Sequence, residues 1–291
     1  MKQIIGCLAF VGYVLNTVFW TIPLVLFALF KLIPIPFSQK ILSYLIDGCA
    51  TCWVKGNTFN QLILSPLKID VVNMPALSTE QWYLVVSNHQ SWVDIFILQR
   101  VFNNQIPFLK FFLKQQLLYV PIIGMAWWGL DFPFMKRYSK AFVEKNPHLK
   151  GRDIETTRKA CQKFKHKPVS IMNFVEGTRY SEQKATQQQS PFSELLLPRA
   201  GGLSFAINAM DGVIDTILDV TICYPDGVPS YWQFMCGDVA NIKIDIQTQQ
   251  ISREMVGDYQ NDLQFKQTFQ RWINQLWQRK AETLAQLKKA Q

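Results

Sequence analysis

Gln81-Trp82-Tyr83-Leu84-Val85-Val86-Ser87-Asn88-His89-Gln90-Ser91-Trp92-Val93-Asp94 is the stretch on which the reading of the fold turns. Its first half, Gln81 to Ser87, is a short apolar run rich in aromatic and β-branched residues, the pattern of a buried strand. Trp92 to Phe102 reads as a helix. The polar link between them falls at a strand end, where ligands commonly meet an α/β sheet. His89 and Asp94 lie four intervening residues apart across that turn. A carboxylate brought back onto Nδ1 fixes the imidazole tautomer and leaves Nε2 free to accept a proton. Taken alone, the pair describes equally well a hydrogen-bonded structural histidine with Asp94 as helix cap.

Working outward, strands are expected at Ile106 to Phe111, Val169 to Phe174, Ile217 to Tyr224 and, by strict alternation, Asn241 to Gln247. Helices are expected at Asp153 to His166, with Asp153 as N-cap, at Gly202 to Met210, and at Gln260 to Lys289. The last is amphipathic, with Phe265, Phe269, Trp272, Ile273, Leu276 and Trp277 near one stripe. Strands alternating with helices argue for an α/β domain. Gln183 to Gln189 is a low-complexity patch expected to form a mobile loop. A second polar cluster, Val175-Glu176-Gly177-Thr178-Arg179, also follows a buried strand. Gly177 permits an unusual turn, and an arginine there suits a bidentate grip on phosphate. The bland alternative is a structural Glu–Arg ion pair.

Hydrophobic residues make up 49% of the 291 and charged residues 18%. That apolar share excludes disorder as the main state. Six cysteines without a repeating frame exclude a small disulfide scaffold. Three separated histidines argue against a multi-histidine metal site, and Cys49-Ala50-Thr51-Cys52 lacks a second pair, so no metal is expected. Gln3 to Phe30 carries no charge over 28 residues. As a helix it reaches about 42 Å, more than a bilayer core of roughly 30 Å. It is too long for a signal-peptide core and no small-residue cleavage site follows. A membrane anchor is expected, bent at Pro23, either as one helix or as a helical hairpin with Ile41 to Leu64 as its return arm. Composition changes after residue 65, dividing the chain into an anchor over 1–65 and an α/β domain over 66–291. The net charge is +9. Arg100 to Lys167 holds 14 Lys/Arg against four acids, a candidate surface for phosphate or headgroups, with a solvated helix face as the alternative and the preferred reading over 145–167. Nucleic acid is not expected as a partner, because no aromatic-basic recognition motif is present.

The two clusters in this order, His89-x-x-x-x-Asp94 and then Phe174-Val175-Glu176-Gly177-Thr178-Arg179, resemble the glycerolipid acyltransferases. Lys114 to Arg137, with its Val-Pro-Ile-Ile-Gly turn, resembles a further block of that family. So do Leu197-Pro198-Arg199-Ala200-Gly201-Gly202 and Asp219-Val220-Thr221-Ile222, which look most like the bacterial YihG-type branch and the eukaryotic lysocardiolipin acyltransferases. The resemblance covers about half the chain, Leu84 to Tyr224. It departs at Val175, where the family usually has proline, and at Asp219-Val220-Thr221, where it usually has a proline in an apolar strand.

The resemblance implies a mixed α/β sheet flanked by helices, with an N-terminal membrane-embedded helical segment. It implies acyl transfer from acyl-CoA or acyl-carrier protein to the free hydroxyl of a lysophospholipid, most simply 1-acyl-sn-glycerol-3-phosphate, with no cofactor beyond the acyl thioester. His89 is the expected general base and Asp94 its orienting carboxylate. Arg179, Arg137 and Lys114 are expected on the acceptor phosphate, Glu176 on the glycerol or bracing the arginine, and Gly177 and Thr178 in the binding turn. The setting implied is a bacterial inner membrane, with the catalytic domain facing the cytosol and the phospholipid membrane as partner. A protein that keeps the fold for lipid binding or membrane organisation, with weak or no catalysis, is the alternative.

Overall fold

The computed structural model describes residues 1–135, 161, 164, 167–210 and 212–289. Most of the basic segment, the helix expected at Asp153 to His166, and Arg137 lie outside the described residues.

Two long helices lead, α1 (Lys2–Phe30) and α2 (Pro36–Leu64). They pack as a hairpin in which small residues let the backbones approach. Asn16 sits over Gly56 and Asn60 over Gly12, so that a Cβ at either glycine would collide with the amide. The Asn16 amide donates to the Trp53 carbonyl at 2.8 Å, and Asn60 donates to the Ala9 carbonyl at 2.8 Å. α1 runs unbroken through Pro23. By length and composition it can cross a membrane.

Six strands form the main sheet in the order β1-β8-β7-β2-β6-β3. They are β1 (Lys68–Asn73), β2 (Tyr83–Ser87), β3 (Leu109–Phe111), β6 (Ser170–Phe174), β7 (Thr216–Cys223) and β8 (Asn241–Gln250). All neighbours are parallel except β7 and β8. A separate two-stranded piece pairs β4 (Leu113–Lys114) with β5 (Phe134–Met135). β2 lies inside the sheet and all five of its residues are buried, which explains why its first four, Tyr83 to Val86, are hydrophobic rather than alternating.

Successive side chains of a strand leave on opposite faces. Leu84 and Val86 therefore join one core layer with Ile217, Leu203, Phe269, Ile273 and Trp277. That layer is closed by α6 (Ala200–Ala209) and the long terminal α8 (Leu263–Lys289). Tyr83 and Val85 join the other layer with Ile97 and Leu98 of α3 (Val93–Phe102) and with Ala9 and Tyr13 of α1. α8 also sends a charge inward. Lys280, 1% exposed, donates to the Asp219 carboxylate, to the Val220 carbonyl at 2.6 Å and toward the Thr221 hydroxyl at 3.4 Å.

Among the described residues the remaining α-helices are short: α4 (Ile123–Gly129), α5 (Glu182–Gln188) and α7 (Tyr231–Met235). α5 replaces the mobile loop expected over Gln183 to Gln189. The Ser181 hydroxyl caps it by accepting from the Lys184 N–H at 3.3 Å. Gln189 ends it in the left-handed region at φ 51°. A glutamine-rich run has ample helix propensity once a cap satisfies its first turn.

α1 is docked at both ends. Lys2 pairs with Asp238 at 2.6 Å, and Gly6 lies against Cys236 and Trp232 beside α7. At the far end Leu24 and Ala28 lie on Gly129 of α4, and Lys31 pairs with Asp131. The opposite face of α1 exposes Ile4, Leu8, Val11, Leu15, Ile22 and Leu26.

Candidate active site

β2 ends at Ser87, and the next residue splices the turn onto the neighbouring strand. The Asn88 side-chain amide donates to the Ile222 carbonyl and accepts from the Ile222 N–H, both at 2.9 Å. It thus continues the β2–β7 ladder by one step with a side chain in place of backbone. The Ser91 hydroxyl, donating to the Pro229 carbonyl at 2.6 Å, holds the far side of the turn.

The turn brings His89 and Asp94 together as the spacing suggests. Nδ1 of His89 lies 2.8 Å from Oδ2 of Asp94. The same oxygen accepts from the N–H groups of Gln90 at 2.7 Å and Ser91 at 2.9 Å. Oδ1 accepts from the Tyr224 hydroxyl at 2.5 Å. Asp94 is fully buried, and four donors converge on it. Phe174 stacks on the imidazole at 3.9 Å between centroids and 13° between planes. With Nδ1 engaged and the ring plane fixed, Nε2 is the nitrogen left for chemistry.

The second cluster is stitched to the first. The Tyr180 N–H donates to the His89 carbonyl at 2.7 Å, and Gly177 turns the chain at φ 70°. The Arg179 guanidinium lies over the Trp92 ring, 4.4 Å from its centroid. Lys184 secures this segment by donating to the Thr178 hydroxyl and the Arg179 carbonyl, each at 2.9 Å. Arg199 passes over Gly177, where a Cβ would meet its Cδ at 3.1 Å. Among the described residues neither Arg179 nor Arg199 has an acidic partner. Two unneutralised guanidinium groups on one rim suit an anionic substrate.

Glu176 points inward. It is fully buried, and neither carboxyl oxygen closes a hydrogen bond among the described residues, so it makes no ion pair with Arg179. Burial raises its carboxyl to about 8, while the N–H groups of Leu196 and His89 face it and pull the other way. At neutral pH it carries a proton in the folded state. The unfolded chain releases that proton near the ordinary carboxylate range. Stability therefore falls as pH rises from that range through about 8. Glu176→Gln removes the titration with little change of shape. Its melting temperature should fall less than the wild type's between about pH 6 and pH 9, read by thermal denaturation.

Lys114 is exposed on β4. Phe111 aligns with Met172 and Met172 with Val85, which puts Lys114 beyond the carboxyl ends of the strands, on the His89 side of the sheet. Arg137 lies outside the described residues. Tyr224, Asn88 and Arg199 are the site residues that reading the sequence missed. The signal for Asn88 was its place directly after a buried strand. Arg199 stood within a quoted block but carried no assigned role. Tyr224 closes an apolar strand and looks like core. Among the described residues no cluster of three or more metal-ligating side chains occurs.

A buried His–carboxylate pair at strand ends, with arginines beside it, defines a class of site: a paired imidazole rimmed by cationic groups. The acyltransferase family model matches residues 68–225, and the chain belongs to that family. It is 28% identical over 160 residues to 1-acyl-sn-glycerol-3-phosphate acyltransferase 2 of Arabidopsis thaliana, covering 50% of this chain and 38% of that one. With acyltransferase 3 of the same plant it shares 24% over 201 residues, 64% of this chain and 50% of the other. The chain thus spans half or less of the length of these relatives. The fold matches the crystal structure of the 1-acyl-sn-glycerophosphate acyltransferase PlsC from Thermotoga maritima with a TM-score of 0.58 and 17% identity, over 100% of this chain and 99% of that one.

Proposed function

We propose that this protein transfers a fatty acyl group from an acyl thioester, acyl-CoA or acyl-carrier protein, to the free hydroxyl of a lysophospholipid. The acceptor that fits best is 1-acyl-sn-glycerol-3-phosphate, with phosphatidic acid as product. The observation that carries this reading is the 2.8 Å contact between His89 Nδ1 and Asp94. His89 Nε2 takes the hydroxyl proton as the oxygen attacks the thioester carbonyl. The C–S bond breaks as the ester forms, and the imidazolium returns its proton to the leaving thiolate. Asp94 holds the tautomer and balances the imidazolium charge. A thioester is already activated, so a serine or cysteine nucleophile is not required. The relatives' names support the acceptor class. The YihG-type likeness rests on the Leu197 to Gly202 and Asp219 to Ile222 blocks.

The site is proposed to work at a bacterial inner membrane, with the α/β domain (66–291) on the cytosolic side and residues 1–65 as anchor. The docking of both ends of α1 on the domain favours an anchor lying along the membrane face over one that leaves the domain to cross it. Acyl transfer to a panel of lysophospholipids, with both donor types, tests the function. Turnover confined to acceptors without a phosphate would refute the acceptor assignment.

Arg179 is proposed to hold the acceptor phosphate, with Lys114 and Arg137 as further contacts. Arg179→Ala should raise acceptor KM on the order of tenfold to a hundredfold, the worth of one charge-assisted contact. Arg179→Lys should recover only part of this, because it lacks the planar fork and stacks less well on Trp92. Steady-state rates at fixed donor decide the matter. A rise in donor KM alone would move the arginine to the donor's phosphates.

A further inference from the structure

Asp94 is held from two directions. Gln90 and Ser91 of its own turn supply N–H groups to Oδ2, beside His89. Oδ1 faces away from the histidine and meets one group only among the described residues, the Tyr224 hydroxyl at 2.5 Å. That hydroxyl comes from 130 residues further along, at the end of β7. Tyr224 is 2% exposed, and its phenol cannot reach water as an alternative partner. The end of β7 is itself fixed to the His89 turn by the Asn88 amide on Ile222. The tyrosine is therefore aimed by the same splice that positions the histidine.

We propose that Tyr224 is a positioning residue for the His89–Asp94 pair: its O–H sets the rotation of the Asp94 carboxylate and draws off part of the negative charge it presents to His89. The proposal rests on the reading of His89 as the base. Short hydrogen bonds to a charged acceptor are the strong ones, and they redistribute charge within the carboxylate. Burial and the Asp94 charge push the Tyr224 phenol well above its usual range, so it remains a donor throughout the working range. Among the described residues the other titratable groups near the pair include Glu176 and Arg179. Glu176, behind the turn, keeps its proton to about 8. Arg179 lies on Trp92.

Without the hydroxyl, Asp94 presents more charge to the imidazole and stabilises the imidazolium more strongly. The readout is the titration of His89 itself, followed by NMR of the histidine-labelled full chain in detergent micelles. The chain has three histidines, and the His89 signal is the one lost in His89→Ala. In Tyr224→Phe the His89 titration should move upward, because the carboxylate that faces the imidazolium loses a competing donor. The acid limb of the rate profile should move up with it, with both KM values unchanged. In an Asp94→Asn background, Tyr224→Phe should add nothing further to the loss of rate. Tyr224→3-fluorotyrosine, a stronger donor of nearly the same shape, should move the midpoint the other way, and it serves also if the phenylalanine variant does not fold. A His89 titration unchanged in a folded Tyr224 variant, or additive losses in the Asp94→Asn background, would overturn the proposal. The titration needs no turnover, so a wild type without acyl transfer would defeat the functional reading while leaving this test intact.

Discussion

His89→Ala should lower acyl transfer by about 10²–10⁴-fold, the range a lost general base costs, while the protein folds and reaches the membrane as before. The second half of that expectation follows from how Asp94 is held. Removing the imidazole takes away one of its four donors and leaves Gln90 N–H, Ser91 N–H and the Tyr224 hydroxyl in place. The buried carboxylate keeps partners on both oxygens, so the turn has little reason to collapse. His89 is itself 9% exposed and its ring stacks on Phe174, so a modest packing loss is expected there. Initial rates with saturating donor and acceptor, alongside circular dichroism of the purified variant, read both halves. Near-normal turnover in a folded His89→Ala protein would remove His89 from the chemistry.

The largest loss of stability should come from breaking the buried pair of Lys280 and Asp219. Lys280→Ala strips the Asp219 carboxylate of its partner inside the core, where Asp219 is 8% exposed and Lys280 1%. Breaking a buried pair from one side costs about 3–5 kcal/mol, because the surviving charge has nowhere to go. For a chain of this size that lowers the melting point on the order of 10 °C. The joint change Lys280→Met with Asp219→Leu should recover most of it, since an apolar pair of similar volume carries no desolvation penalty. Urea midpoints at an unchanged slope are the appropriate measure. A single variant as stable as wild type would mean that Asp219 finds another partner or takes up a proton.

Much of the sheet is legible in the sequence because burial on both faces leaves a plain mark. Gln81 to Ser87, Val169 to Phe174 and Ile217 to Tyr224 are mostly apolar runs too short for long helices, and each proves to contain a strand inside the sheet. The His89–Asp94 contact is legible because it is local, spanning one turn. Contacts that join distant stretches are not. Tyr224 reads as the last apolar residue of a strand until the fold sets it against Asp94. Lys280 reads as one more surface lysine on a basic helix. Its counterpart did leave a signal, since Asp219 is an acid in the middle of a buried run and needs a cation. Glu176 and Arg179 are adjacent enough to suggest a pair. The turn instead sends one inward and leaves the other on Trp92, an outcome that depends on backbone direction at Gly177 and not on residue type. The glutamine-rich patch misled because composition hides a single capping serine.

The docking of α1 also sets an order of events during synthesis. Gly6 rests against Cys236, and Lys2 pairs with Asp238. Helix α1 thus waits for a surface whose Asp238 lies 236 residues further along. At roughly 5–20 residues per second that interval is on the order of ten seconds to a minute. Throughout it the face bearing Gly6, Ala9 and Tyr13 has no α7 to lie on, while α2 can pair with it early. A nascent chain arrested before Tyr231 should therefore hold a formed hairpin with an unfinished seam, open to protease and to chaperones that grip bare apolar helix faces. Completion of α7 and of the turn that carries Asp238 is what closes it.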